Sequence, residues 1–90
     1  MAITFDPRKR DWTLANRGLD FADAERVLAG TVLEFEDDRF DYDEIRMIAV
    51  GLLNANVVVV GYASRGEDQH VFTMRHATKG ESDEYFESVG

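Results

Sequence analysis

The sequence predicts an α+β fold: an N-terminal strand and two helices, then an antiparallel β meander of three to four strands, then a C-terminal helix. Three observations carry this. Helix caps and glycine stops punctuate the first thirty residues, β-branched and alternating runs separated by turn residues fill Thr31 to Arg75, and a Thr-x-x-Glu capping box opens the tail at Thr78. With helices segregated from the meander, the order suits an α+β arrangement.

Ala2 to Phe5 reads as a short strand. Asp6-Pro7 then supplies an N-cap and a proline at the first helical position, so a helix runs from about Pro7 to Asn16, stopped by Gly18 in the left-handed conformation. Asp20 caps a second helix, Phe21 to Ala29, whose Phe21, Ala24, Val27 and Leu28 share a face. Thr31 to Glu36 reads as a strand with Leu33 and Phe35 inward and Glu34 and Glu36 outward, and Asp37 to Asp43 as a polar loop. Glu44 to Leu53 is apolar on both faces, as a central strand would be. Asn54-Ala55-Asn56 turns the chain into Val57 to Tyr62, and Arg65-Gly66-Glu67-Asp68 turns it again. In Gln69 to Arg75, alternation sets His70, Phe72 and Met74 on one face and Val71, Thr73 and Arg75 on the other. A last helix follows from Lys79 to Ser88.

Ninety residues, 44% of them hydrophobic, suffice for one core and so predict a single domain. No apolar run approaches the roughly 20 residues that span a bilayer, and no signal peptide is visible, so a soluble cytosolic protein is expected. Without cysteine there is no thiolate metal site, and two histidines without helical pairing argue against zinc; neither metal nor cofactor is expected. A net charge of -8 argues against gripping nucleic acid through bulk electrostatics, yet Arg8, Lys9, Arg10 and Arg17 leave room for a local basic surface.

Several segments together carry a family resemblance: Phe5-Asp6 followed by Lys9, Gly18-Leu19-Asp20-Phe21-x-x-Ala24, Asp43-Glu44-Ile45-Arg46 with Gly51, Arg65-Gly66, and Arg75-His76-Ala77-Thr78 followed by Glu81 and Tyr85. In their order and spacing the chain resembles the BrnT family of bacterial type II toxins. The resemblance implies a RelE-like fold, ribonuclease activity and neutralisation by a BrnA-type antitoxin that itself makes any DNA contacts. The chain departs from the family pattern at Asn16-Arg17-Gly18, where the family shows Lys-His-Gly, at His70, where arginine is expected, and in the acidic start of the last helix.

Metal-free RNA cleavage needs a base for the 2'-hydroxyl, cations for the phosphorane and an acid for the 5'-oxygen. The catalytic candidates are Arg75, Arg46, Lys9, Arg65 and His76; the RNA-binding candidates are Lys9, Arg17, Arg65 and Arg75. Arginines serve as cationic donors only. If their strands are close, Arg46 and Arg75 converge on one phosphate. Each also has a plainer reading: Arg75 as an ion pair with Glu81 or Glu44, Arg46 as a local pair, Arg65 as a solvated turn residue, Lys9 as the wet face of a helix. Histidine is the side chain whose unperturbed titration lies near neutrality, so His70 or His76 could be a general acid or base, and His76 is preferred as the neighbour of Arg75. Tyr85, Trp12, Phe5, Phe21, Phe35 and Phe72 read as core. The acidic residues Asp37, Asp38 and Asp41 and the last helix suit a basic antitoxin. The alternative function is a non-catalytic acidic interaction module on the same fold.

Overall fold

A computed structural model describes residues 2–39 and 43–89. The elements are β1 (Ile3–Phe5), α1 (Pro7–Arg17), a 3-10 turn (Phe21–Asp23), α2 (Ala24–Ala29), β2 (Leu33–Glu36), β3 (Arg46–Leu53), β4 (Asn56–Arg65), β5 (Asp68–His76) and α3 (Lys79–Val89). The strands form one sheet in the order β1-β5-β4-β3-β2. From β2 to β5 the chain meanders antiparallel, and β1 adds to β5 in parallel, with Phe5 opposite Val71.

Local chemistry sets the ends of the elements. Asp6 accepts from the Arg8 N–H at the start of α1, and Gly18, at φ 70°, donates its N–H to Leu14 O at the end. Asp20 likewise accepts from Ala22 N, but it caps a 3-10 turn that passes into a short α2, so the helix expected over 21–29 is split. Asn54, at φ 57°, turns β3 into β4. The capping box of α3 is complete: Thr78 N donates to Glu81 Oε1 at 2.9 Å, and Glu81 N donates to Thr78 Oγ1 at 3.2 Å.

Each face of the sheet is covered by helix. Beneath α2 and the 3-10 turn, Phe21, Ala24 and Val27 pack on Ala49, Val58, Val60, Tyr62, Val71 and Met74. Gly51 permits this approach, because a Cβ there would lie 2.9 Å from Val32 Cγ1 and 3.0 Å from Val27 Cγ1. Tyr62 donates to Glu34, and burial together with that carboxylate raises the phenol to about 12. On the opposite face Tyr85 of α3 packs on Val50 and Val59, as expected of a core residue, and donates its hydroxyl to Thr31 O at 2.8 Å.

Four expectations are corrected. The middle strand is β4, with β3 second from the edge. Phe35 lies on the α3 face, as its pairing requires, but beyond the reach of the helix, and is 50% exposed; Trp12 is 54% exposed on α1. In β5 the buried residues are Val71 and Met74, three apart, because a bulge opposite Gly61 and Tyr62 shifts the register and breaks the alternation. Of the acidic loop, Asp41 lies outside the described residues.

Candidate functional site

Strand β1 pairs with β5 only as far as Val71, and α1, which follows directly, covers the edge beyond. Arg17 Nη1 donates to Met74 O at 3.0 Å, and His76 Nε2 lies 3.2 Å from Arg17 O. A carbonyl only accepts, so this nitrogen of His76 carries the proton. The same placement brings Lys9 over the ring of Phe72, 6.0 Å from its centroid.

Phe72 is the hub of a cationic cluster. Arg46, the first residue of β3, has its Cζ 3.9 Å from the ring centroid, and Arg65, the last of β4, 5.4 Å away. The His70 ring meets Phe72 edge-on at 5.1 Å. The register explains the gathering: Arg46 opposes Ala63, which opposes His70, so β3 begins where β4 ends and β5 starts. The negative face of the ring attracts such cations, more strongly as water is excluded.

Carboxylates order the cluster. Glu44 holds Arg65 through a two-pronged pair at 2.7 and 3.1 Å, and Arg65, with Arg46 and His70 behind it, keeps the Glu44 carboxyl below its usual range. His70 Nδ1 lies 2.8 Å from Thr4 Oγ1. Burial and then the Arg65 charge push the His70 pKa down, with Lys9 adding to this and Glu44 and Asp6 opposing it, so the neutral ring is favoured. Beside the cluster a cleft of about 240 Å³ is lined by Lys9, Arg39, Arg46, Ile48, Phe72 and Thr73, with Gly61 at its base. Arg39, paired to Asp37 at 2.8 and 3.0 Å, was not singled out by the sequence, nor was Phe72 as anything but core. The missed signal for Phe72 was its place in the strand after Arg65-Gly66, two residues from His70.

Lys9, Arg46 and Arg65 therefore come together, while Arg75, Arg17 and His76 stand elsewhere. Arg75 opposes Val59, four residues along β4 from the partner of Arg46, and β4 separates their strands. At about 3.3 Å per residue and about 4.8 Å per strand the two backbones are about 15 Å apart, so the expected convergence of Arg46 and Arg75 on one phosphate is not formed. Arg75 instead clamps Glu81 at 2.7 and 2.8 Å, which depresses that carboxyl to about 2. Its neighbour His76 points to the opposite face of the sheet, against α1. Among the described residues no three His, Cys, Asp or Glu side chains gather as a metal-ligand set, and no helix is long and apolar enough to cross a membrane.

A family model described as ribonuclease toxin, BrnT, of type II toxin-antitoxin systems matches residues 5–81. The chain belongs to the BrnT family. No curated protein matches it closely enough to add a relative. The BrnT match takes in all of the Phe72 cluster, from Lys9 to Phe72, and ends on Glu81. Membership makes this a ribonuclease toxin whose kind is held in check by an antitoxin.

Proposed function

We propose that this BrnT protein cleaves RNA without a metal ion at the Phe72 cluster, acts in the cytoplasm, and is neutralised by a BrnA-type antitoxin that makes any DNA contacts. The observation that carries the reading is the meeting of Lys9, Arg46 and Arg65, from three different elements, around one half-buried ring. A phosphodiester laid against Phe72 meets fixed positive charge where the phosphorane develops negative charge. His70, held by Thr4 and favoured neutral, takes the 2'-hydroxyl proton; the 2'-oxygen bonds to phosphorus. The P–O5' bond then breaks, and Lys9, which can release a proton as arginine cannot, protonates the leaving 5'-oxygen. The products are a 2',3'-cyclic phosphate and a 5'-hydroxyl. Arg17 and Arg75 extend the cationic surface, and His76 serves the α1 contact rather than the chemistry.

The test is cleavage of a single-stranded RNA by the purified chain in chelator. Cyclic phosphate ends, lost in Arg46→Ala and in His70→Gln with the fold retained, support the proposal. RNA left intact by the folded chain, or cleavage restored only by added divalent metal, refutes it. The pairing of Arg65 with Glu44 and of Arg39 with Asp37 favours a second reading, an interaction module whose cations are already neutralised. Harmless expression of the folded chain in a bacterium lacking the antitoxin, with antitoxin binding lost on neutralising Asp37 and Asp38, supports that alternative.

A further inference from the structure

Trp12 is a large aromatic left more than half exposed on α1, as Phe86 is on α3, whereas Phe21 and Tyr85 are fully buried. Its ring does not stand alone. The Arg17 guanidinium lies 5.1 Å from the centroid and is itself fixed on the sheet edge by Met74 O, so the indole is steadied at the surface by an anchored cation. Trp12, Thr13 and Arg17 line a second cleft of about 220 Å³, and Lys9, Phe72 and Thr73 line both this cleft and the one beside Arg46. The two clefts adjoin, sharing Lys9, Phe72 and Thr73, with Arg46 lining one and Trp12 the other.

We propose that Trp12 is a stacking subsite for a nucleobase of single-stranded RNA, adjacent to the nucleotide whose phosphate sits on the Phe72 cluster. This rests on the proposed cleavage site and adds to it what holds the neighbouring nucleotide. Single strands are bound by aromatic platforms interleaved with cations that follow the backbone, and every base presents a face to stack, so such a subsite tolerates sequence. Here Arg46 lines one cleft, Phe72 and Lys9 line both, and Arg17 and Trp12 line the other. Another cleft, lined by the exposed Leu52, Phe86 and Val89, is flanked on α3 by Asp83, Glu84 and Glu87 and repels a phosphate chain. Stacking away from the reacting atoms contributes to binding in the ground and transition states alike, so it acts on affinity and leaves turnover unchanged.

Trp12 is the one tryptophan of the chain, so its fluorescence reports on the subsite directly. The probe is a short single-stranded RNA with 2'-O-methyl groups, which binds without being cleaved. Binding should quench Trp12, and Trp12→Ala should weaken affinity for the labelled oligonucleotide about ten-fold, with Trp12→Phe recovering most of it. The single-turnover rate at saturating cleavable RNA should not change. Equal affinity in wild type and Trp12→Ala, with no quenching, overturns the subsite while cleavage lost in Arg46→Ala leaves the active-site reading standing. Quenching without any cleavage by wild type supports the subsite and sinks the active-site reading. A Trp12→Ala variant that binds RNA normally but loses the antitoxin assigns the indole to a protein interface and overturns the proposal.

Discussion

Replacing Glu81 by glutamine keeps the shape of the side chain and removes the charge that holds Arg75. In the folded chain the Arg75 guanidinium, followed in effect by the Thr78 N–H, holds the Glu81 carboxyl at about 2, against 4.5 for a free glutamate. Taken whole, a depression of that size is linked to about 3 kcal/mol of stability. The pair is 40% and 30% exposed, however, and solvent screening reduces the expected contribution to about 1–2 kcal/mol. Because the folded value is depressed, the stabilisation is fully present above pH 4.5 and disappears as the pH falls from there to about 2. Urea denaturation followed by circular dichroism at a series of pH values reads this directly. At pH 7 the Glu81→Gln midpoint should fall by about 1 M, given a slope of about 1–2 kcal/mol/M for a chain of this size, and the gap should close on acidification. Arg75→Ala should cost a similar amount, and the double variant little more than either single one, since both remove the same contact. A gap that persists at low pH, or two losses that add in full, would refute the clamp and return Arg75 to the list of groups free to meet a phosphate.

Three further outcomes follow from the same contacts. Phe72→Leu should leave the fold intact by circular dichroism but lower RNA cleavage about ten- to hundred-fold, because Arg46 and Lys9 lose the surface that aligns them; unchanged cleavage would remove Phe72 from the site. The acid limb of the kcat/KM profile should lie below pH 6.5, since burial and Arg65 disfavour the charged His70, and should vanish in His70→Gln. Gly51→Ala should destabilise the chain by about 1–3 kcal/mol in thermal denaturation, with partial recovery when Val32→Ala makes room.

What could be read from the sequence was what depends on near neighbours. Asp6, Gly18 and the Thr78–Glu81 pair cap their helices as expected, because a cap is settled within four residues. The hairpins of β3, β4 and β5 were legible for the same reason, each strand being tied to the next by a short turn, whereas β2 reaches β3 through the longer 37–45 segment. The faces of β5 were not, since the bulge that places Val71 with Met74 in the core is a property of two strands together. Strand order decided the rest: Arg46 and Arg65 meet because β3 begins where β4 ends, whereas Arg46 and Arg75 are kept apart by β4 itself. Phe35 and Trp12 read as core because their residue types favour burial, but whether an aromatic is buried depends on whether another element reaches it. His76 looked like the partner of Arg75 in sequence and faces the other way because neighbours in a strand do.

The parallel pairing of β1 with β5 has a temporal side. Ile3 to Phe5 meet Gln69 to Val71, so β1 has nothing to pair with until β5 has been made. Lys9 follows β1 and Phe72 follows the paired stretch of β5, and neither can reach the other earlier. A nascent chain therefore holds Lys9 apart from Phe72 until β5 has been made, and contacts this distant in sequence form slowly. The Phe72 cluster is thus complete only when the whole sheet is, whereas the β4–β5 hairpin that carries Arg65 and Phe72 can form from local contacts alone.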